Sequence, residues 1–213
     1  IGMAGRFHPA VRKAREILDS NELGPVVAAL SQFNKHWDYA GRHYQYRSRW
    51  MGGGMWVGNG GHAVDWLTYC VGSKAVSVKA RQSTSMHYQG ADDTTTAFVQ
   101  FANGVPGLLL VVGSAHGCSN DGVEAHCALG QIEYDVRGKV RVGVDNEWRD
   151  VEHDGSDGFM EQYRHFVESV TAGVRPQTSS HYGRHILEIL VAAEESSITG
   201  REVHLTDYHR LPW

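Results

Sequence analysis

From Pro9 to Gly24 the apolar residues Val11, Ala14, Ile17 and Leu18 recur every three or four positions, with lysine and arginine between them. That spacing predicts a helix, opened by proline at its first position and stopped by Gly24-Pro25. VVAALSQF (26–33) reads as a strand. Residues 36–50, HWDYAGRHYQYRSRW, break both periods and read as an aromatic and arginine-rich loop. A second helix is predicted from about Gly60 to Cys70, with Asn59 as its N-cap. From Lys74 to Glu152 the period shortens. AVSVKARQ, TTTAFVQF, VPGLLLVVG, GVEAHCALG, QIEYDV, KVRVGV and EWRDVE are short strand-like runs, divided by turns such as Asn103-Gly104 and Arg137-Gly138. They predict a mostly antiparallel meander. Two helices follow. DGFMEQYRHFVESVTAG places Phe159, Tyr163, Phe166, Val167 and Val170 on one face, and HYGRHILEILVAAEESSITG ends on Gly200 as a C′ glycine. REVHL reads as a last short strand. Strands grouped in the middle with helices at the ends give an α+β domain rather than an alternating α/β one.

Composition narrows the function. The chain has 213 residues and a formal net charge of -4, which argues against nucleic acid as a partner. Its three cysteines, Cys70, Cys118 and Cys127, form no CxxC pair and read as reduced thiols, so a cytoplasmic setting is expected. No apolar run reaches the length of a membrane span and no signal peptide is visible. The chain begins at Ile1, inside the strand-like IGMAG, and is read as a piece of a longer protein.

The densest motif is GGGMWVGNGGHAVDW, Gly52 to Trp66, with glycine at six of the ten positions from Gly52 to Gly61. Gly58 to Ala63 matches G-x-G-x-x-A. Only Met55-Trp56-Val57 precede it as a strand, and no acid lies about 20 residues on. A glycine-rich turn into a helix is therefore favoured over a phosphate loop. With Asn59 as N-cap, His62 falls at N3, where the helix dipole favours neutral imidazole, a form able to accept a proton from an alcohol. Asp65 lies three residues on, on the same face, and could orient the ring. A structural histidine at a capped helix start is the alternative. His62 and Asp65 could also form half of a metal site. His181 and His185 are spaced i,i+4, but no HExxH or cysteine cluster accompanies them, so no dedicated metal site is expected. Asp92-Asp93, at a strand start, point to opposite faces and read as structural.

These pieces together resemble a known family. GRFHPAVRKAREILDSNELGPV, the pattern W-x-G-G-G-x-x-x-x-x-G-x-H-x-x-D from Trp50 to Asp65, DDTTTAFVQFANG, and the stretch from FMEQYRHFVESV to ITGREVHL are similar to the C-terminal part of the Gfo/Idh/MocA oxidoreductases, the glucose-fructose oxidoreductase and inositol dehydrogenase family. The resemblance implies a C-terminal α+β domain on a large open sheet with helices packed on one face. It implies self-association through that sheet, as dimer or tetramer, and a small-molecule substrate. It also implies an N-terminal Rossmann domain that binds NAD or NADP and is absent here, so no cofactor is expected to bind this chain tightly. Residues 1–8 would be a remnant of that domain's last strand, and 9–213 the substrate and oligomerisation domain. The family's Asp-x-x-x-His pattern maps His62 onto the catalytic histidine but puts Gly58 where the aspartate is expected. Lys35, Trp37, Tyr44, Arg49, Trp50, Asn59 and Asp65 are the candidate substrate-side residues. The implied parent is an NAD(P)-dependent oxidoreductase acting on a sugar, cyclitol or related hydroxy or carbonyl compound. A non-catalytic oligomerisation or ligand-binding module is one alternative, and a metal-dependent hydrolase or isomerase using His62 and Asp65 another.

Overall fold

The computed structural model describes residues 2–38, 40–87 and 90–206. Ile1 of the expected strand tail lies outside them. The tail itself is not extended: Ala4–Phe7 forms a 3₁₀ turn. An extended chain would send Arg6 and Phe7 to opposite sides. The turn buries both instead, with Arg6 against Asp65 and the Phe7 ring 5.2 Å from that of His165.

Helix α1 (Pro9–Ser20) starts where proline places it, and the His8 ring accepts the Ala10 amide. It stops before Gly24, because Asn21 already takes the left-handed conformation, φ 59°. Strand β1 (Val26–His36) runs three residues beyond the predicted stretch. A helical run then leads into α2 (Gly61–Val71). Strands β2 (Ala75–Ser83), β3 (Thr94–Phe101), β4 (Pro106–Ser114), β5 (Asn120–Cys127), β6 (Gly130–Tyr134), β7 (Val140–Val144) and β8 (Glu147–Asp150) follow, matching the short-period runs. Helices α3 (Gly158–Ala172) and α4 (Ser180–Thr199) and strand β9 (Val203–His204) complete the order. Asp157 caps α3, Ser179 caps α4, and Gly173 and Gly200 end them in the left-handed region.

The strands form one open sheet in the order β8-β7-β6-β5-β1-β4-β3-β2-β9. The fold is α+β with a mixed sheet. All pairs are antiparallel except β1 with β4, which run parallel from Ala29 opposite Gly107 to His36 opposite Ser114. A parallel pair needs a long crossover, and α2 with the β2-β3 hairpin supplies it. Helix α2 packs on β1, β4 and β5, α4 on β2, and α1 on β6 and β7. Ser31 Oγ on β1 donates to the Ala63 carbonyl of α2 at 2.9 Å, fixing the helix over the sheet centre. Trp56, Leu67, Val111, Ile132, Ile186 and Ile189 are buried between the layers. Each such side chain contributes about 1.5–3 kcal/mol.

Two apolar surfaces find no cover among the described residues. On the outer sheet face, Phe98 and Leu108 stand opposite one another on β3 and β4 and are exposed. Helix α3 meets the 3₁₀ turn at the chain start rather than the sheet, and Phe159, Tyr163, Phe166, Val167 and Val170 are 58% to 65% exposed. Among the described residues no helix is long and apolar enough to cross a membrane.

Candidate functional site

The helix that carries His62 starts earlier than the sequence suggests. Gly54, at φ 107°, turns the chain, and the Met55 amide then donates to the Asp92 carbonyl at 3.0 Å. The Trp56 amide donates to Asp92 Oδ2 at 2.8 Å. Trp56–Gly60 is a π-helical turn that runs on into α2. Two glycines are needed for close approach. A Cβ at Gly54 would lie 2.2 Å from Asp92 Oδ1, and one at Gly60 would lie 2.6 Å from the Trp56 ring. Asn59 is therefore not an N-cap. It lies within the helical run, where its Oδ1 accepts from Lys35 Nζ at 3.0 Å. Gly58 to Ala63 is helix throughout and forms no phosphate-binding turn.

His62 is consequently about two turns inside the helical run, away from its positive end. Its pKa is lowered, as expected, but burial is the main cause; Asp65 opposes the shift and Lys35 adds to it. The ring stacks on Phe33 with centroids 5.9 Å apart and on Trp66 at 6.3 Å. It makes no hydrogen bond to the described residues. It faces a cleft of about 670 Å³ lined by Phe33, Asn59, Trp66, Asp121, Phe159 and the chain start at Gly2–Gly5. On its other side a cleft of about 490 Å³ lies between Gly58, Gly61 and α4. A Cβ at Gly58 would meet nothing within 4 Å. Neutral, half-buried and open to a ligand, the imidazole can exchange a proton with a hydroxyl in the cleft.

Asp65 acts on His62 only through its charge and makes no hydrogen bond to it. It is fully buried and takes Arg6 Nη2 at 2.5 Å and the Tyr182 hydroxyl at 2.7 Å. The Arg6 guanidinium is stacked between the rings of Tyr69 and Tyr182, at 4.5 and 4.2 Å. Burial of so many polar groups demands that they pair with one another. Their pairing ties the chain start to α2 and α4; both bonds fall on Asp65 Oδ1, while Asp65 Oδ2 and Arg6 Nε are buried without a hydrogen-bond partner.

The other candidates divide. Lys35, Asn59 and His62 come together. Trp37 is buried, with the Arg42 guanidinium 3.8 Å above its ring, so it supports the site from below. Arg49 is held by Glu194 of α4. Tyr44 is exposed, and Trp50 is 98% exposed, on the same loop and outside the cleft lining. The sequence reading missed Phe33, Trp66 and Arg42. Strand alternation carried to His36 puts Phe33 and Lys35 on one face and would have found the first. Asp92 and Asp93 are structural, as read. Asp93 accepts the amides of Ser85, Met86 and His87, and Thr94 Oγ1. His185 accepts the Ala75 amide and lies beside Glu188. Among the described residues no group of three or more His, Cys, Asp or Glu is placed to hold a metal.

Comparison with known proteins agrees with this architecture. Residues 11–133 match the family described as the GFO/IDH/MocA C-terminal domain. No curated protein matches the sequence. Among solved structures, an oxidoreductase domain protein from Kribbella flavida superposes with TM-score 0.84 at 20% identity, over 96% of this chain and 66% of its own. Levoglucosan dehydrogenase, in complex with NADH and levoglucosan, gives 0.85 at 19% identity, over 95% and 65%. The aldose-aldose oxidoreductase of Caulobacter crescentus, complexed with glycerol, gives 0.84 at 20%, over 96% and 63%. The chain thus spans less than two thirds of each.

Proposed function

Because the chain belongs to the Gfo/Idh/MocA family, matching its C-terminal domain over more than half its length, we propose that it forms the substrate side of an NAD(P)-dependent oxidoreductase acting on a hydroxy or carbonyl compound. The observation that carries this reading is His62: its pKa is lowered by burial, it makes no hydrogen bond to the described residues, and it faces a cleft. As the family resemblance implies, the cofactor is assigned to a domain preceding this one. Two features support such a domain. The chain covers less than two thirds of its relatives, and the α3 stripe that reaches the cleft at Phe159 is uncovered. When bound, the nicotinamide would supply the hydride acceptor or donor for the carbinol carbon. His62 takes the proton of the substrate hydroxyl on oxidation and returns it on reduction. Phe33 and Trp66 hold the ring flat beside the substrate, and Asn59 fixes the Lys35 ammonium next to it. In the full-length protein His62→Ala should lower turnover by roughly 10²–10⁴. A loss of less than a few fold would remove His62 from proton transfer.

Self-association through the outer sheet face is a second reading, favoured by Phe98 and Leu108. Size-exclusion chromatography of the Phe98→Glu variant tests it. Wild type should elute as a dimer or tetramer and the variant as a smaller species. An unchanged elution volume would place association elsewhere.

A further inference from the structure

We propose that Lys35 and Arg42, which lie outside the lining of the cleft beside His62 but next to its residues Asn59 and Phe33, hold the carboxylate of an anionic substrate, a hydroxy acid whose carbinol end enters the cleft. This rests on the oxidoreductase reading above and narrows its substrate class.

The case is one of uncompensated charge. Lys35 Nζ donates to Asn59 Oδ1, a neutral amide, and makes no ion pair among the described residues. The Arg42 guanidinium lies 3.8 Å over the Trp37 ring, also without an ion pair among the described residues, and its Nε is buried without a partner. Lys35 Nζ is 5.5 Å from the same ring. Two half-buried cations thus share one indole. Burial and Arg42 both push the Lys35 pKa down, and Asp121 opposes them. Two carboxylates line the cleft: Asp121 is itself paired with Arg137, and Asp157 is taken up by the Phe159 amide in capping α3. Like charges partly removed from water repel more strongly than at the surface, and a bound anion offsets both the repulsion and the desolvation. The flat guanidinium fork suits a carboxylate.

Phe33 bridges the two ends of the site, 5.7 Å from Lys35 Nζ and 5.9 Å from the His62 ring. A hydroxy acid anchored at Lys35 and Arg42 therefore extends its carbinol carbon along Phe33 toward His62.

The test is calorimetric, on this chain, with matched probes: D-gluconate against sorbitol and L-tartrate against threitol, at low and at physiological salt. Each acid should bind about ten-fold or more tightly than its polyol, and the preference should shrink as salt rises. Lys35→Met and Arg42→Gln should each bring the acid-to-polyol ratio toward one. Lys35→Arg should keep it, with circular dichroism confirming the fold of every variant. Equal binding of acid and polyol, or a preference that survives both substitutions, would overturn the anionic assignment and leave the hydroxy-compound reading standing. Binding of neither probe class would remove both.

Discussion

Asp92 accepts the Trp56 amide at 2.8 Å, so the helix that carries His62 is capped by a side chain just before β3, from a distant part of the sequence. Asp92→Ala should therefore cost about 1–2 kcal/mol, the usual loss of a helix cap. Asp92→Asn, which keeps an acceptor, should cost less. Urea unfolding measures both. A null effect of the alanine would mean that the π-helical turn is held by packing alone.

The Arg6–Asp65–Tyr182 cluster predicts unequal losses. Asp65→Ala leaves the Arg6 charge buried and should destabilise by about 3–5 kcal/mol. Tyr182→Phe removes one hydrogen bond and should cost about 1 kcal/mol. In a double-mutant cycle Asp65 and Arg6 should couple, the pair of substitutions costing less than the sum. Additive losses would show that the two groups act independently.

Much of the fold could be read from local pattern. The short-period runs became strands close to where they were placed, because alternating burial leaves little freedom of register. The caps of α3 and α4 were equally local. The site was less legible. Its helix start depends on Asp92, 36 residues from Trp56, and no window near Gly58 contains that information. Helical spacing puts Asp65 on the face of His62, yet Arg6 and Tyr182, distant in sequence, bond its Oδ1. Of the substrate-side candidates, Lys35 and Asn59 meet beside His62. Trp37, Tyr44, Arg49 and Trp50, the neighbours of Lys35 in sequence, were separated by a loop whose path follows no period.

His62 should titrate below the ordinary histidine value of 6.5, because burial disfavours its charged form. The sign for stability follows. A folded-state pKa below the unfolded one makes the native state bind fewer protons, so the contribution of His62 is complete above about pH 6.5 and is lost as pH falls through the folded value. NMR titration of the imidazole measures this directly. Gly58→Asp, which meets open space, should move the midpoint up, since a nearby carboxylate favours imidazolium. A midpoint at or above 6.5 in the unsubstituted chain would contradict the burial argument.

The exposed stripe on α3 predicts an effect without a stability cost. Phe166→Lys should change unfolding free energy by no more than about 0.5 kcal/mol, because the side chain is 58% exposed. It should reduce the fluorescence of a hydrophobic dye bound to the native chain. A large destabilisation would show that Phe166 packs in the core.

The central parallel pair has a consequence for the order of assembly. Strand β1 leaves the ribosome before its sheet partners β4 and β5, so Ala29 must wait for Gly107. The β3-β4 hairpin closes over four residues and the β2-β3 hairpin over ten, both far shorter than the β1-β4 separation, so both can form first. Closing β1 against β4 carries the larger entropic cost and belongs to the slow part of folding. Helix α2 rests on β1, so the surroundings of His62 mature with that closure. During refolding, strand signals should return before the His62 resonance takes its native shift.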